Sequence, residues 1–275
     1  MSLGYEAMRH GAAWLDLSTR GRIVVRGRDR ARLLHAITSN EVKKMTPGTG
    51  CYAFLLNPQG RIQADLCLFC REDHFLIDTE PELREKVHVH IKRYIIADQV
   101  ELQDVTADTA CLGVEGPSAP GVQLPAGDHA IAPFTVTGQP GYRVYCAPEA
   151  KLDLVRQLEA QGARAATAEE ARVVRIENGK PRYGEDIRDT SLPQETQQMQ
   201  AVSFNKGCYL GQEIVERIRA MGQVHKKLER LELEGSEPPV PGTKLSVGGG
   251  EAEITSAVWS PHFGKVIALG YVRRS

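Results

Sequence analysis

The strand-like runs of this 275-residue chain come in groups, each closed by an amphipathic helix, and that grouping limits the fold more than any other feature. In the first round, 21–27 (GRIVVRG) reads as a strand and 30–37 as a helix with Leu33, Leu34 and Ile37 on one side. Runs 51–56 and 61–69 then read as strands joined at Asn57-Pro58-Gln59-Gly60, a strong turn sequence, and 74–78 as a third. A helix is expected to open at Pro81, with Thr79 and Glu82 spaced as a capping box and Leu83, Val87, Ile91 and Ile95 as its stripe. A looser second round follows. Strands are expected at 110–114 and 141–146, a helix at 148–161, and another from Thr167 with Glu170 as its capping partner. Few strand–helix–strand crossovers are visible, so the class is α+β rather than a doubly wound sheet.

Beyond residue 220 the pattern changes. The breakers at 237–242 (EPPVPG) and 248–250 separate short alternating runs at 228–233, 243–247, 253–258 and 266–272. These predict a small all-β module, a sandwich or barrel, over 221–275. The preceding 1–220 divide into α+β units at about residues 1–110 and 111–220.

Composition narrows the class further. Hydrophobic content of 41% with 25% charged residues fits a soluble globular protein. The net charge of -1 supplies no global field for nucleic acid or acidic lipid. Apolar runs such as 52–56 and 94–97 are far too short to span a bilayer, and no secretory signal is visible. The expectation is a cytoplasmic protein with neither a nucleic-acid nor a membrane partner. Six cysteines are scattered rather than clustered, against a disulfide framework. Cys67 and Cys70 form a C-x-x-C, but period-two alternation puts Asp65, Cys67 and Phe69 on one strand face and Cys70 on the other. Two thiols so placed do not share a metal. The six arginines between 20 and 32 read as solvated strand and helix faces rather than as a polyanion grip.

Three places carry candidate chemistry. The densest is 206–213 (KGCYLGQE), at the apparent opening of a helix. A thiol at Cys208, near a helix N-terminus and beside Lys206, is expected to have a lowered pKa. Gly207 and Gly211 permit close approach of a ligand or chain segment. An inert buried cysteine, a nucleophile and a thiol for redox, sulfur or iron chemistry all fit these residues. The second candidate is Glu177, in 175–181 (RIENGKP). Its carboxylate offers two parallel acceptors that match the paired N–H donors of a pterin, while a surface pair with Lys180 or Arg175 is the plainer account. The third is Asp65, which shares its strand face with Cys67 and Phe69, an odd neighbourhood for a solvated carboxylate.

Segments 175–186 (RIENGKPRYGED), 193–196 (PQET) and 203–217 together resemble the glycine-cleavage T-protein, or aminomethyltransferase-like, family. The K-G-C-Y-x-G-Q-E run is similar to that of its YgfZ-type folate-binding branch. That resemblance implies two interlocked ferredoxin-like folate-binding subdomains followed by a small C-terminal β-barrel. It implies tetrahydrofolate or a folate derivative as cofactor. Glu177 would anchor the pterin, Lys206, Gly207, Tyr209, Gln212 and Glu213 would accompany it, and Cys208 and Asp65 would be catalytic. The implied function is an accessory to iron–sulfur cluster assembly or repair, with iron–sulfur client or assembly proteins as partners. The alternative is a folate-dependent aminomethyl or one-carbon transferase. Aminomethyltransferases carry two adjacent aspartates where this chain has Ala64-Asp65, so the resemblance to the transferases is incomplete there.

Overall fold

A computed structural model describes residues 2–222 and 224–274. Three sheets build the molecule. The first has five antiparallel strands in the order Gly50–Leu56, Ile62–Cys70, His74–Thr79, Gly21–Arg26 and Glu101–Asp104. The second runs Arg164–Ala165, Ala13–Asp16, Ala110–Glu115, Gly141–Cys146 and His129–Ala132, and only its first pair is parallel. The third is antiparallel, in the order Lys227–Leu233, Lys265–Arg274, Gly250–Ser260 and Lys244–Val247.

Period-two alternation gives the first sheet two apolar faces. On one, Leu66, Leu68 and Cys70 pack with Leu33, Leu34 and Ile37 of the Arg30–Ile37 helix and with Val87 and Ile91 of the Arg84–Arg93 helix. On the other, Val24, Cys67, Phe69 and Leu76 meet Cys111 and Tyr145 of the second sheet. The two sheets therefore pack face to face, and the C-x-x-C thiols lie in separate cores, as alternation requires.

Chain connectivity ties the sheets together. The Ala13–Asp16 strand, which precedes every strand of the first sheet, sits inside the second. In return Tyr183, Ile187, Ala201, Val202, Tyr209 and Val215 complete the core of the first. The third sheet docks on the Ala168–Glu177 helix, with Ile176 among Leu228, Val258, Ile267 and Leu269. A register shift between Ile254 and Ser256 turns two successive hydroxyls toward Asp186, whose Oδ1 accepts from Thr255 at 2.6 Å and Ser256 at 2.7 Å.

Several expectations need correction. The C-terminal module is an open four-stranded sheet, not a barrel: its two outer strands pair on one side only, and one face is covered by a helix. The Thr167–Glu170 capping box forms, but the Thr79–Glu82 box does not. Thr79 is buried at a strand end, where its hydroxyl donates to the Asp65 carbonyl, and Pro81 opens a 3-10 turn instead. The basic run is not solvated throughout. Arg22 is fully buried and donates to the carbonyls of Ser18, Arg20, Thr106 and Thr109, and Arg20 is buried against Asp78 and Glu80. The Leu3–His10 helix and the Ala13–Asp16 strand were not anticipated, since four residues are too few to display an alternation.

Candidate functional site

A cavity of about 730 Å³ lies where the two five-stranded sheets meet the Ala168–Glu177 helix. Adjacent strands of the first sheet supply Asp65, Cys67 and, just past a strand end, Glu80, while the second sheet supplies Arg143. Tyr52 and Phe134 give it aromatic wall, and Arg172, Arg175, Lys180 and Arg182 line its remaining side.

Asp65 is the carboxyl best placed for chemistry. Its Oδ2 accepts from the Tyr52 hydroxyl at 2.9 Å, and its buried Oδ1 has no protein partner. Burial, reinforced by the nearby Glu80 carboxylate, pushes its pKa up to about 6. Glu80 keeps a lowered pKa despite burial because Arg20 and Arg182 hold it ionised. Two neighbouring carboxyls are thus driven apart in acidity by their partners. Behind them Asp78, also held ionised against burial, is contacted by Arg143 and Arg20 and accepts from Tyr145 at 2.8 Å.

Glu177 does not line this cavity. It sits two residues beyond Arg175 on a helix whose cavity face carries Ala168, Ala171, Arg172 and Arg175, so it points elsewhere. Its Oε1 accepts from Tyr5 at 2.6 Å and Ser260 at 2.5 Å, and Oε2 lies 3.6 Å from Arg9. The expected pterin anchor is, in this structure, a buried tie between the Leu3–His10 helix and the third sheet.

The 206–213 segment is likewise outside the cavity lining. Lys206 is buried, and its Nζ donates at 2.6 Å to the carbonyls of His35, Thr38 and Asn40, while burial pushes its pKa down to about 8. Tyr209 is packed in the core of the first sheet, and Gln212 accepts from the Tyr209 backbone N–H at 3.3 Å. Gly211, with φ of +82°, approaches so closely that a Cβ would stand 2.6 Å from the Asn57 carbonyl oxygen. The helix itself starts only at Gln212, so Cys208 lies ahead of it, exposed beside exposed Gly207, with Glu213 exposed in the first turn. The thiol therefore precedes the helix rather than opening it, and the Lys206 ammonium is turned inward to the three carbonyls.

Comparison with known proteins places this geometry. Residues 3–126 match the GCVT N-terminal domain family. The aminomethyltransferase of Rubrobacter xylanophilus is 29% identical over 98% of this chain and 78% of its own length. That of the Nostoc strain PCC 7120 is 26% identical with the same two coverages. The chain thus resembles the aminomethyltransferases along nearly its whole length. Its fold agrees: the crystal structure of the glycine cleavage system aminomethyltransferase T from Bartonella henselae superposes with a TM-score of 0.87 over 98% of this chain and 80% of that one, at 19% identity. The aminomethyltransferase-like fold thus brings Asp65 to a cavity and leaves Glu177 and Cys208 outside it. Sequence reasoning missed Arg20, Glu80, Arg143 and Lys180 as cavity residues. One signal was available, since Arg143 and Tyr145 share a face of a strand whose alternate positions are otherwise apolar or buried. Among the described residues no group of three or more His, Cys, Asp and Glu is arranged to hold a metal ion. No described helix is long and apolar enough to cross a membrane.

Proposed function

We propose that the chain binds tetrahydrofolate, or a derivative of it, in the cavity and acts there in one-carbon transfer from an aminomethyl donor, whose carbon is already at the oxidation level of methylene-folate and whose amine leaves as ammonia. The observation that carries this reading is Asp65, a cavity carboxyl with one unpartnered oxygen and a pKa pushed up to about 6. The residues fit the ligand class. A folate joins a flat heterocycle to an aromatic linker and a carboxylate tail, and the cavity offers Tyr52 and Phe134 for rings and several arginines for the tail. Its volume falls within the roughly 300–1,000 Å³ of ordinary small-molecule sites.

When bound, tetrahydrofolate supplies amine nitrogens that accept a one-carbon unit. The protein's part is proton management. Near neutral pH Asp65 populates both protonation states, so it takes the proton lost by a reacting amine nitrogen and later returns it. The Tyr52 hydroxyl fixes Oδ2 and leaves Oδ1 for that task. Burial keeps bulk water from competing for the same proton.

Calorimetry with tetrahydrofolate, and turnover with a panel of aminomethyl donors, test the reading. Asp65→Asn is expected to hold affinity within a few-fold while methylene-folate formation falls by roughly 10²–10⁴-fold. Failure of the wild type to make methylene-folate from any donor would sink the transfer reading, and failure to bind folate would sink the site.

A second reading keeps folate binding but assigns the chain to iron–sulfur cluster assembly or repair. It is favoured by one observation, the exposed Cys208 thiol carried on a segment that Lys206 clamps to three carbonyls. It predicts that Cys208→Ser loses the ability to support iron–sulfur enzymes in a strain lacking this protein. Full complementation by that variant excludes the thiol.

A further inference from the structure

Arg143 stands on the Gly141–Cys146 strand, 2% exposed, and lines the cavity. Asp78 meets its charge, with Nη1 2.9 Å from Oδ1, yet the contact lies at an angle that makes no hydrogen bond, and Nε has no partner either. Among the described residues this guanidinium donates no hydrogen bond. Other buried arginines behave differently. Arg22 donates to four carbonyls and the Thr109 hydroxyl, and Arg175 donates to the Lys180 carbonyl and to Asp186 and Glu185. Asp78 is itself engaged by Arg20 and by the Tyr145 hydroxyl. It neutralises Arg143 without occupying the donor fork. Beneath the fork the Phe134 ring lies 5.8 Å from the guanidinium carbon, which restrains its plane. Buried donors are nearly always satisfied, so an unsatisfied guanidinium on a residue that lines a cavity is arranged for an acceptor that the protein does not provide.

We infer that Arg143 is the ligand-reading residue of the cavity, donating to an acceptor on the ring end of the bound molecule, so that the site selects a ring carrying an oxo group over one carrying an amino group there. This rests on the folate reading and sharpens it. The ring end is indicated because Arg143 is surrounded by buried Cys67, Asp78, Phe134 and Tyr145, whereas Arg172 and Glu169, also on the cavity lining, are partly or largely exposed. A compact uncharged ring loses less hydration at the buried end than a carboxylate does. In a reduced pterin that acceptor is the 4-oxo oxygen.

The first test needs no variant. Wild-type protein is titrated by calorimetry with tetrahydrofolate, with 6-methyltetrahydropterin, which lacks the tail, and with the 2,4-diamino analogue of tetrahydrofolate, in which the oxo acceptor becomes an amino donor. The diamino compound is expected to bind roughly 10–100-fold more weakly, because it sets donors against buried donors. Arg143→Lys keeps a cation opposite Asp78 but removes the fork, and with its folding checked by thermal unfolding it is expected to weaken tetrahydrofolate and the tailless pterin by the same factor. Equal wild-type affinity for the oxo and diamino compounds overturns the inference and leaves folate binding standing. A loss confined to the tailed ligand also overturns it, assigning Arg143 to a carboxylate. Absence of any folate binding by the wild type overturns the underlying reading, and this assignment with it.

Discussion

At Asp65 the pKa of about 6 lies above the roughly 3.9 of a carboxyl in an unfolded chain. The folded protein therefore binds this proton more tightly than the unfolded chain does. The resulting stabilisation is complete below about pH 4 and is lost as the pH rises through 6. Asp65→Asn removes the burden of burying a charge while keeping an acceptor for Tyr52. It is expected to stabilise the protein by about 1–3 kcal/mol at pH 8 and by much less at pH 4. Thermal unfolding at the two pH values checks this, and an equal effect at both would show that Asp65 is not held as described. Residue 65 was legible as a candidate because a carboxylate sharing a strand face with Cys67 and Phe69 lacks an obvious solvent role. Arg143 was marked only by its strand face shared with Tyr145, because what distinguishes it is the geometry of partners contributed by residues 78, 134 and 145, which lies beyond local spacing.

Elements differ in how far local rules decide them. The helix Arg30–Ile37 and the strand Gly141–Cys146 coincide with their expected limits. Two Thr-x-x-Glu signatures were equivalent as sequence, and one forms. At Thr167 the chain is free to place the hydroxyl over the first turn, and Glu170 returns the contact to the Thr167 N–H. At Thr79 the preceding strand has already committed the side chain to the interior. Thr167→Ala is accordingly expected to destabilise the protein by about 1 kcal/mol. A denaturant midpoint unchanged from wild type would show that the cap contributes nothing measurable. The 206–213 segment illustrates the opposite limit: its residue types were noticed, but whether Lys206 faced ligand or backbone depended on carbonyls at 35, 38 and 40, far away along the chain.

On the scale of the whole molecule, α+β class and a β-rich tail were legible from patterning, whereas the exchange of segments between sheets was not, since pairing partners far apart in sequence leave no periodic trace. Glu177 belongs to this scale. It joins residues near both ends of the described chain through Tyr5 and Ser260, with its own carbonyl accepting from Arg230 at 2.8 Å. Glu177→Ala leaves the buried Tyr5 and Ser260 hydroxyls without this acceptor, and a loss of about 2–4 kcal/mol is expected. Tetrahydrofolate affinity, measured by calorimetry below the melting range, is expected to stay within a few-fold of wild type. A large selective loss of affinity with unchanged stability would return Glu177 to the ligand.

The same three-way tie has a consequence for the order in which the protein is made. A chain leaving the ribosome presents Tyr5 first, but the acceptor for its hydroxyl emerges 172 residues later, and Ser260 later still. The Leu3–His10 helix must therefore wait, with Tyr5 and Met8 lacking their partners Ala171 and Val174, while the intervening residues are synthesised. A chaperone that shields the Leu3–His10 segment as it emerges is expected to raise the yield of folded protein more than one acting after release.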